Sequence, residues 1–316
     1  MWVKACTAWP EEPSVLDFSK AFHNVYGNTA YAMQNFECGF GDKDHAAARP
    51  SLGELILPDD YNYPYVIQAD AFSACTNLVS VTPFLSKHCL SCFGGFKYCH
   101  SITNALSFYG SKITANDNSY QSFMECCKIP SADFSESTIT MLHREDFAGC
   151  TALEWIRLPA TVARFSTANG DSLTDRNPFR NSNPPNPNPY PDAKGLTVYF
   201  AGTEMPTNRN GIAEIGTFDF TAGLASLSDN AFQKYTGLTN IVFHGLPPAE
   251  IGETVFNGLK DRSITINVPA YYIEEWRAIA DDGKLSRKYG GTWTSGTTQL
   301  LVPYGDPRGG LQIIIH

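Results

Sequence analysis

The chain is 316 residues long and 43% hydrophobic, which is enough apolar material for a sizeable core in one large domain or two ordinary ones. Its formal net charge of -9 opposes contact with phosphate backbones and anionic lipid headgroups. No apolar run approaches the roughly 18 residues of a membrane-spanning helix, and the start, MWVKACTAWPEEP, lacks a signal-peptide pattern. We therefore expect neither nucleic-acid binding nor membrane insertion. Either the chain is not exported by that route, or a leader or anchor has been removed.

A repeated unit organises the chain from about residue 70 onward. It is an aromatic residue followed three residues later by a small or sulfur-containing residue and six later by an aliphatic one. It reads AFSACTNLVSV, GFKYCHSITNA, SFMECCKIPSA, DFAGCTALEWI and AFQKYTGLTNI, with a looser member VFNGLKDRSITI. The anchor residues are Phe72, Phe96, Phe123, Phe147, Phe232 and Phe256, and their separations are 24, 27, 24, 85 and 24 residues. Such a period predicts a solenoid of stacked coils.

Four cysteines fall into the register of this repeat. Cys75, Cys99, Cys126 and Cys150 each follow an anchor by three residues. A small apolar thiol suits a narrow slot between stacked coils. We therefore predict a column of buried free thiols, and the odd total of nine cysteines likewise does not imply a complete disulfide framework.

The segment KHCLSCFGGFKYCH, residues 87–100, has the spacing of a zinc site. Cys99, however, belongs to the thiol column, and His100 occupies a position whose chemistry varies between coils. His88, Cys89 and Cys92 remain as residual metal candidates, but structural zinc almost always needs a fourth ligand. We therefore predict no metal and no cofactor.

The gap of 85 residues between Phe147 and Phe232 predicts three coils and an insertion. Three coils of 24 residues leave a surplus of about the size of NPFRNSNPPNPNPYP, residues 177–191. Phe179 is a candidate anchor there, while Arg209 stands where another anchor is expected. Because prolines cannot donate ladder hydrogen bonds, the segment is predicted to project as a loop, with or without a function of its own.

Side chains that face outward from the predicted strands form an open face, because two residues in each coil lie between inward-facing apolar ones. Trp155 and Arg157 stand out there, since Trp and Arg are frequent binding hot spots. Tyr199 and Asn240 complete the candidate site. The alternative is that Trp155 covers a neighbouring coil and Arg157 is solvated. By register, the face carries Glu54, Ile56, Ser80, Thr82, Asn104, Leu106, Ser131, Asp133, Trp155, Arg157, Thr217, Asp219, Asn240, Val242, Thr265 and Asn267.

Units of the form AFxxCxxLxxI, followed by a proline and an apolar pair such as Val162 and Phe165, resemble the BspA-like leucine-rich repeats of bacterial surface proteins. The ending INVPAYYIEEWRAIADDG resembles the close of such arrays, where a last strand runs into a short helix. The resemblance implies a β-rich α/β fold, a right-handed solenoid of ~24-residue repeats with a parallel sheet on its concave face.

This resemblance suggests three regions within one cooperative domain. Residues 1–50 form an N-terminal cap or irregular first coil. Residues 51–268 form the solenoid, with the insertion at 177–191. Residues 269–316 form a C-terminal cap with a helix from about Ala270 to Asp281. Caps are expected because the ends of a sheet expose unpaired strand edges.

No nucleophile elbow, metalloprotease motif or phosphate-binding loop occurs, so we expect no enzyme. The resemblance implies a binding module of a bacterial surface or secreted protein, which engages protein or glycan through the concave face and is extracellular or cell-surface. A structural or assembly protein, such as a component of a bacteriophage particle located in the virion or cytoplasm, remains open. The third hypothesis is that the chain is an enzyme. The sequence indicates no oligomeric state.

Overall fold

The computed structural model groups the chain into two compact units, Met1–Pro191 and Asp192–His316. It describes residues 15–19, 52–57, 65–67, 71–85, 89–92, 94–110, 121–143, 145–165, 177–180, 195–208, 212–252, 255, 264–281 and 301–304. Within these ranges, no helix is both long and apolar enough to span a bilayer.

The first unit has ten short strands within its described residues. They are β1 Val15–Asp17, β2 Glu54–Ile56, β3 Tyr65–Ile67, β4 Ser80–Thr82, β5 Cys89–Cys92, β6 Leu106–Ser107, β7 Ser131–Asp133, β8 Met141–Leu142, β9 Trp155–Leu158 and β10 Arg164–Phe165. Strand β1 pairs in parallel with β2, and β2 pairs with β4. Strand β6 pairs in parallel with β7, and β7 pairs with β9. Two further parallel pairs form where the chain runs back in each coil after these strands: β3 pairs with β5, and β8 pairs with β10.

The second unit has eight strands and a helix within its described residues. They are β11 Leu196–Phe200, β12 Thr207–Asn208, β13 Ile215–Phe220, β14 Ser226–Leu227, β15 Asn240–Phe243, β16 Glu250–Ile251, β17 Thr265–Pro269, a 3-10 turn Ala270–Tyr272, α1 Ile273–Asp281 and β18 Leu301–Tyr304. Strands β11, β13, β15, β17 and β18 form one parallel sheet in that order. The predicted β-rich solenoid with a parallel sheet is confirmed, and α1 follows its last repeat strand.

The anchor phenylalanines of the first unit form a column of stacked rings. The centroids of Phe72, Phe96, Phe123, Phe147 and Phe179 follow one another at 5.4, 6.2, 5.3 and 6.1 Å, with interplanar angles of 22° or less. All five side chains are buried. Stacked pairs at this spacing contribute roughly 0.5–1.5 kcal/mol each beyond the burial of apolar area. Phe179 therefore continues the column, as its position predicts.

A second set of aromatic rings fills the space between the anchors and the sheet. Phe84 meets the rings of Phe96 and Phe123 nearly edge-on, at interplanar angles of 81° and 82°. Phe134 meets Phe147 in the same way. The anchor rings thus stack face to face along the column, and the rings of the second set meet them edge to face. Both arrangements suit the quadrupole of an aromatic ring.

The cysteine column is buried, and each of its thiols is free. The Sγ–H groups of Cys99, Cys126 and Cys150 donate to the carbonyl oxygen of the anchor one coil earlier, at 3.0, 3.1 and 3.1 Å. Burial raises the pKa of all three thiols, so they stay protonated and can donate. The thiol therefore satisfies a buried carbonyl as well as filling a slot.

The same position in the second unit is held by Ile212 and Tyr235, both buried. The backbone N–H of Ile212 donates to the carbonyl of Lys234 in the next coil at 2.7 Å. Tyr235 Oη donates to the carbonyl of Pro206 at 3.2 Å. Arg209 and Phe256 themselves lie outside the described residues, as does most of the proline-rich insertion.

The predicted register is wrong in one coil. Leu106, expected on the open face, is buried and pairs with Ala132, an inward-facing residue of β7. This coil has one more residue between anchor and strand than its neighbours, and a shift of one residue reverses the faces of a strand. The extra residue is accommodated at Asn104, whose side-chain Oδ1 accepts the backbone N–H of Val81 at 3.0 Å. Ser107 faces outward instead, beside Asp133.

The predicted caps contribute strands to the sheets. Strand β1, from the region assigned to the N-terminal cap, pairs with β2 over three residues. Strand β18, from the region assigned to the C-terminal cap, pairs with β17 over four. Both therefore cover an edge that would otherwise present unpaired backbone groups.

Replacing Cys126 by Ser should lower the free energy of unfolding by on the order of 1–3 kcal/mol. The serine side chain is smaller and its oxygen lies closer to Cβ, so it would leave a void and lengthen the hydrogen bond to the Phe96 carbonyl. Cys127→Ser is the matched control, because Cys127 is only partly buried, and it should change stability by about 0.5 kcal/mol or less. Urea unfolding of both variants measures the difference. Equal stabilities, or a disulfide between any two cysteines of the column, would contradict the prediction.

A fully buried carboxyl lies one residue before the anchor Phe147. Asp146 Oδ2 accepts the backbone N–H of His143 at 2.8 Å, and its Oδ1 accepts that of Ser122 at 3.4 Å, so the side chain connects two coils. Burial nevertheless raises the pKa of Asp146 from 3.8 to about 7. The folded protein therefore holds a proton here at pH values where an unfolded Asp has lost it.

This difference in pKa predicts that stability falls as the pH rises from about 4 to about 7, and that the contribution is constant above that range. Asp146→Asn keeps an acceptor oxygen but cannot ionise, so it should remove this part of the pH dependence. The urea midpoint, measured between pH 4 and 8 in both proteins, tests it. The idea fails if the two profiles run parallel.

Candidate functional site

Trp155 and Arg157 lie two residues apart on β9 and therefore face the same side of the sheet. The guanidinium carbon of Arg157 is 5.4 Å from the centroid of the Trp155 ring, within the range of a cation–π contact. The strand register places Asp133 of β7 directly beside Arg157, and Arg157 Nη1 donates to Asp133 Oδ2 at 3.1 Å. The guanidinium is thus fixed by an indole on one side and a carboxylate on the other.

These contacts bear on one part of the alternative expectation, the solvation of Arg157. Arg157 is not simply solvated, although 39% of its side chain remains exposed. Trp155 is partly buried and supports the guanidinium within its own strand. A partly exposed ion pair adds little stability, so its main physical effect is to hold a cation in one position on the outward face.

Tyr199 and Asn240 lie on the outward face of the second unit. Tyr199 of β11 is paired in register with Asp219 of β13. Asn240 of β15 lies between Thr217 and Thr265, and its Oδ1 accepts a hydrogen bond from Asn267 Nδ2 at 2.5 Å. Asn240 is therefore already engaged by a neighbouring strand. The predicted site residues fall in both units, two in each.

Two parts of the outward faces were not predicted from the sequence to belong to a site. Asp133 was placed on the open face, but its role as the partner of Arg157 follows only from the pairing of β7 with β9. The second is a group formed by Asp219, His244 and Tyr304. His244 Nε2 is 2.7 Å from Asp219 Oδ1, and Tyr304 Oη is 3.0 Å from His244 Nδ1. His244 follows the outward residue Val242 by two positions, which is the signal that could have identified it.

Two of the three residual metal candidates, Cys89 and Cys92, lie on β5 of the first unit. Cys89 and Cys92 bound β5, and both side chains are buried. Burial and the neighbouring Cys89 raise the pKa of Cys92 well above its usual value, which opposes the thiolate form that zinc requires. His88 lies outside the described residues. Among the described residues, no group of three or more His, Cys, Asp or Glu side chains is placed to hold a metal ion.

We predict that the purified protein contains no stoichiometric zinc and that a chelator leaves its melting temperature unchanged. Elemental analysis of the wild type and of Cys89→Ser/Cys92→Ser provides the measurement. About one zinc per chain in the wild type, absent from the double variant, would show that the cysteines of β5 bind metal.

Comparison with known proteins identifies the repeat. The sequence model described as the BspA type leucine rich repeat region matches in six copies, over residues 46–169 and 210–277, which is more than half of the chain. A solved leucine-rich repeat protein from Bacteroides ovatus ATCC 8483 is similar at 12% identity over 81% of this chain and 85% of that one, with a TM-score of 0.18. No curated protein matches. On the strength of the repeat match, the chain belongs to the BspA-type leucine-rich repeat family.

Proposed function

We propose that this protein is a non-catalytic binding module of a bacterial surface or secreted protein, and that it engages a protein or glycan through the outward face of its parallel sheet. The observation that carries the proposal is the fixed position of the Arg157 guanidinium, between Asp133 and the Trp155 ring. A cation held in place before a partner arrives loses less conformational entropy on binding than a freely rotating one.

The surroundings of this pair favour a large partner. The strand paired with β9 presents short polar residues, Ser131 and Asp133 of β7, on the outward face. In the same unit, β4 presents Ser80 and Thr82. An open sheet surface offers a platform, whereas a small metabolite is usually bound in an enclosed pocket. Tyr199 and Asn240, on the outward face of the second unit, are proposed as a second contact area.

The group formed by Asp219, His244 and Tyr304 has the connectivity of an orienting acid, a base and a hydroxyl, so it is the arrangement in the described chain to weigh as a catalytic site. Burial and the charge of Asp219 raise the pKa of Tyr304 to about 12, which makes its hydroxyl a poor nucleophile. The same hydroxyl donates to the Phe243 carbonyl at 2.8 Å. These observations support a structural role for the group and a binding role for the protein.

The proposed location is the bacterial cell surface or the medium. It is supported by membership of a repeat family that is typical of surface proteins. Protease treatment of intact cells tests it. Cleavage of the protein before any cytoplasmic marker, or its presence in the medium, is expected, whereas full protection in intact cells would favour the assembly reading.

Trp155→Ala/Arg157→Ala should weaken binding to a partner by at least about 2 kcal/mol, which is roughly a thirtyfold rise in Kd and a typical hot-spot loss. The probes are a glycan array and a panel of purified extracellular matrix proteins. Asp133→Ala should give a smaller loss, because it frees the guanidinium without removing it. Circular dichroism checks that the fold is unchanged.

The matched control is Ser80→Ala/Thr82→Ala, which alters two outward residues of β4 in the same unit. Their hydroxyls bond to each other at 3.3 Å, so this control also removes a local contact of the sheet. It should leave Kd within about twofold of the wild type. Unchanged affinity in the Trp155/Arg157 variant, together with a loss in the control, would move the site away from β9.

A further inference from the structure

Three strands of the second unit meet at His244. Asp219 belongs to β13, His244 follows β15 directly, and Tyr304 is the last residue of β18. His244 Nε2 lies 2.7 Å from Asp219 Oδ1, and His244 Nδ1 lies 3.0 Å from Tyr304 Oη. Tyr304 Oη is also 2.8 Å from the carbonyl oxygen of Phe243. Through these contacts, one imidazole connects the interior of the sheet to its C-terminal strand.

The number of protons available decides how many of these contacts are hydrogen bonds. When both ring nitrogens are protonated, Nε2–H donates to Asp219, Nδ1–H donates to Tyr304, and the Tyr304 hydroxyl donates to the Phe243 carbonyl. A neutral ring with its proton on Nε2 leaves Nδ1 and that carbonyl competing for the single hydroxyl proton. A neutral ring with its proton on Nδ1 places the bare Nε2 against the Asp219 carboxylate. Deprotonation therefore costs one hydrogen bond in either tautomer.

We propose that His244 is a pH-dependent latch, which when protonated holds strand β18 against β17 through Tyr304, and which loosens that strand when the proton leaves. Strand β18 pairs with β17 over Leu301–Tyr304 alone within the described residues, so a side-chain hydrogen bond at its last residue is a substantial part of its attachment. The proposal is independent of the binding function, because it concerns the sheet edge and not a partner.

The groups around His244 are consistent with an imidazolium. Asp219 supplies a carboxylate from β13, and Tyr304 supplies a phenol from β18. On β17 the outward neighbours are uncharged, Asn267 and Pro269. From α1, which contacts β17 and β18, Arg277 is paired with Glu274 at 2.7 Å and both are exposed.

The sign of the pH dependence follows from the pKa of His244. Its hydrogen bond to Asp219 raises this pKa above the usual 6.5, against the opposing effect of burial. A folded-state pKa above the unfolded one means that the latch contributes fully below about pH 6.5 and is lost as the pH rises through the higher folded value. Tyr304, with its pKa raised to about 12, stays a neutral donor throughout.

Amide hydrogen exchange of β18 tests the latch directly. Protection factors of Leu301, Val302 and Tyr304, corrected for the intrinsic effect of pH on exchange, should fall about fivefold between pH 5.5 and 8.5, which is the equivalent of one net hydrogen bond. His244→Gln should abolish this change. Tyr304→Phe should give low protection at both pH values. The amide of Ile241, in the central strand β15, serves as the internal control and should not change.

Titration of the His244 ring by NMR supplies the second readout. Its pKa should lie above 6.5 in the wild type and should drop in Asp219→Asn. A protection factor of β18 that is independent of pH, the same pH dependence in His244→Gln as in the wild type, wild-type behaviour of Tyr304→Phe, or a His244 pKa at or below 6.5 would each overturn the proposal.

Discussion

The stacking distance between successive coils constrains the rest of the first unit. Each anchor ring must fill the interior and leave its neighbour 5.3–6.2 Å away, so the backbone before and after it is fixed coil by coil. The backbone N–H of Phe72 donates to Gly95, that of Phe96 to Ser122, and that of Phe123 to Asp146, always one residue before the next anchor. The carbonyl of the anchor then accepts a thiol from the next coil. In the first unit, aromatic packing, backbone pairing and the cysteine hydrogen bond therefore act together, and an aliphatic residue in place of the cysteine would leave a buried carbonyl with one bond fewer.

The turns around Phe96, Phe123 and Phe147 each contain two left-handed residues. Ala74, Tyr98, Glu125 and Gly149 lie two residues after an anchor and have φ between 57° and 73°. Gly94, Gln121 and Glu145 lie two residues before one and have φ between 59° and 75°. Non-glycine residues in this region cost of order 1 kcal/mol each, and they persist because coil-to-coil hydrogen bonds fix the turn. The turn is thus specified by the backbone and not by the outward side chains of the sheet.

The sequence predicts the side-chain positions that recur in every coil. It does not predict contacts that depend on an irregularity in one coil or on strands far apart in the chain. The anchors, the thiol column and the outward direction of Trp155 and Arg157 follow from the spacing of the repeat, whereas Phe179 was only a candidate anchor because it lies outside that spacing. Leu106 was misplaced because one extra residue reverses a strand, and only the hydrogen bond of Asn104 to Val81 shows where that residue is absorbed. The link of Asp219 and His244 to Tyr304 spans 60 residues or more to β18, which shares no repeat spacing with them. The pairing of Asp133 with Arg157 was within reach, since both occupy the same column of the repeat.

The ends of a parallel sheet are where such a solenoid can be regulated at the lowest cost in stability. An interior coil is bonded on both sides, so loosening it exposes two sets of backbone groups and breaks the aromatic column. A terminal strand is bonded on one side, and its release exposes a single edge. Among the described strands, β18 satisfies this condition, because it pairs with β17 alone and ends at a tyrosine whose hydroxyl reaches two strands inward to the Phe243 carbonyl. The His244 ring lies at that point, so its protonation affects the part of the sheet that opens at the lowest free-energy cost. Gain or loss of one proton there leaves the packing around the anchors of the repeat unchanged.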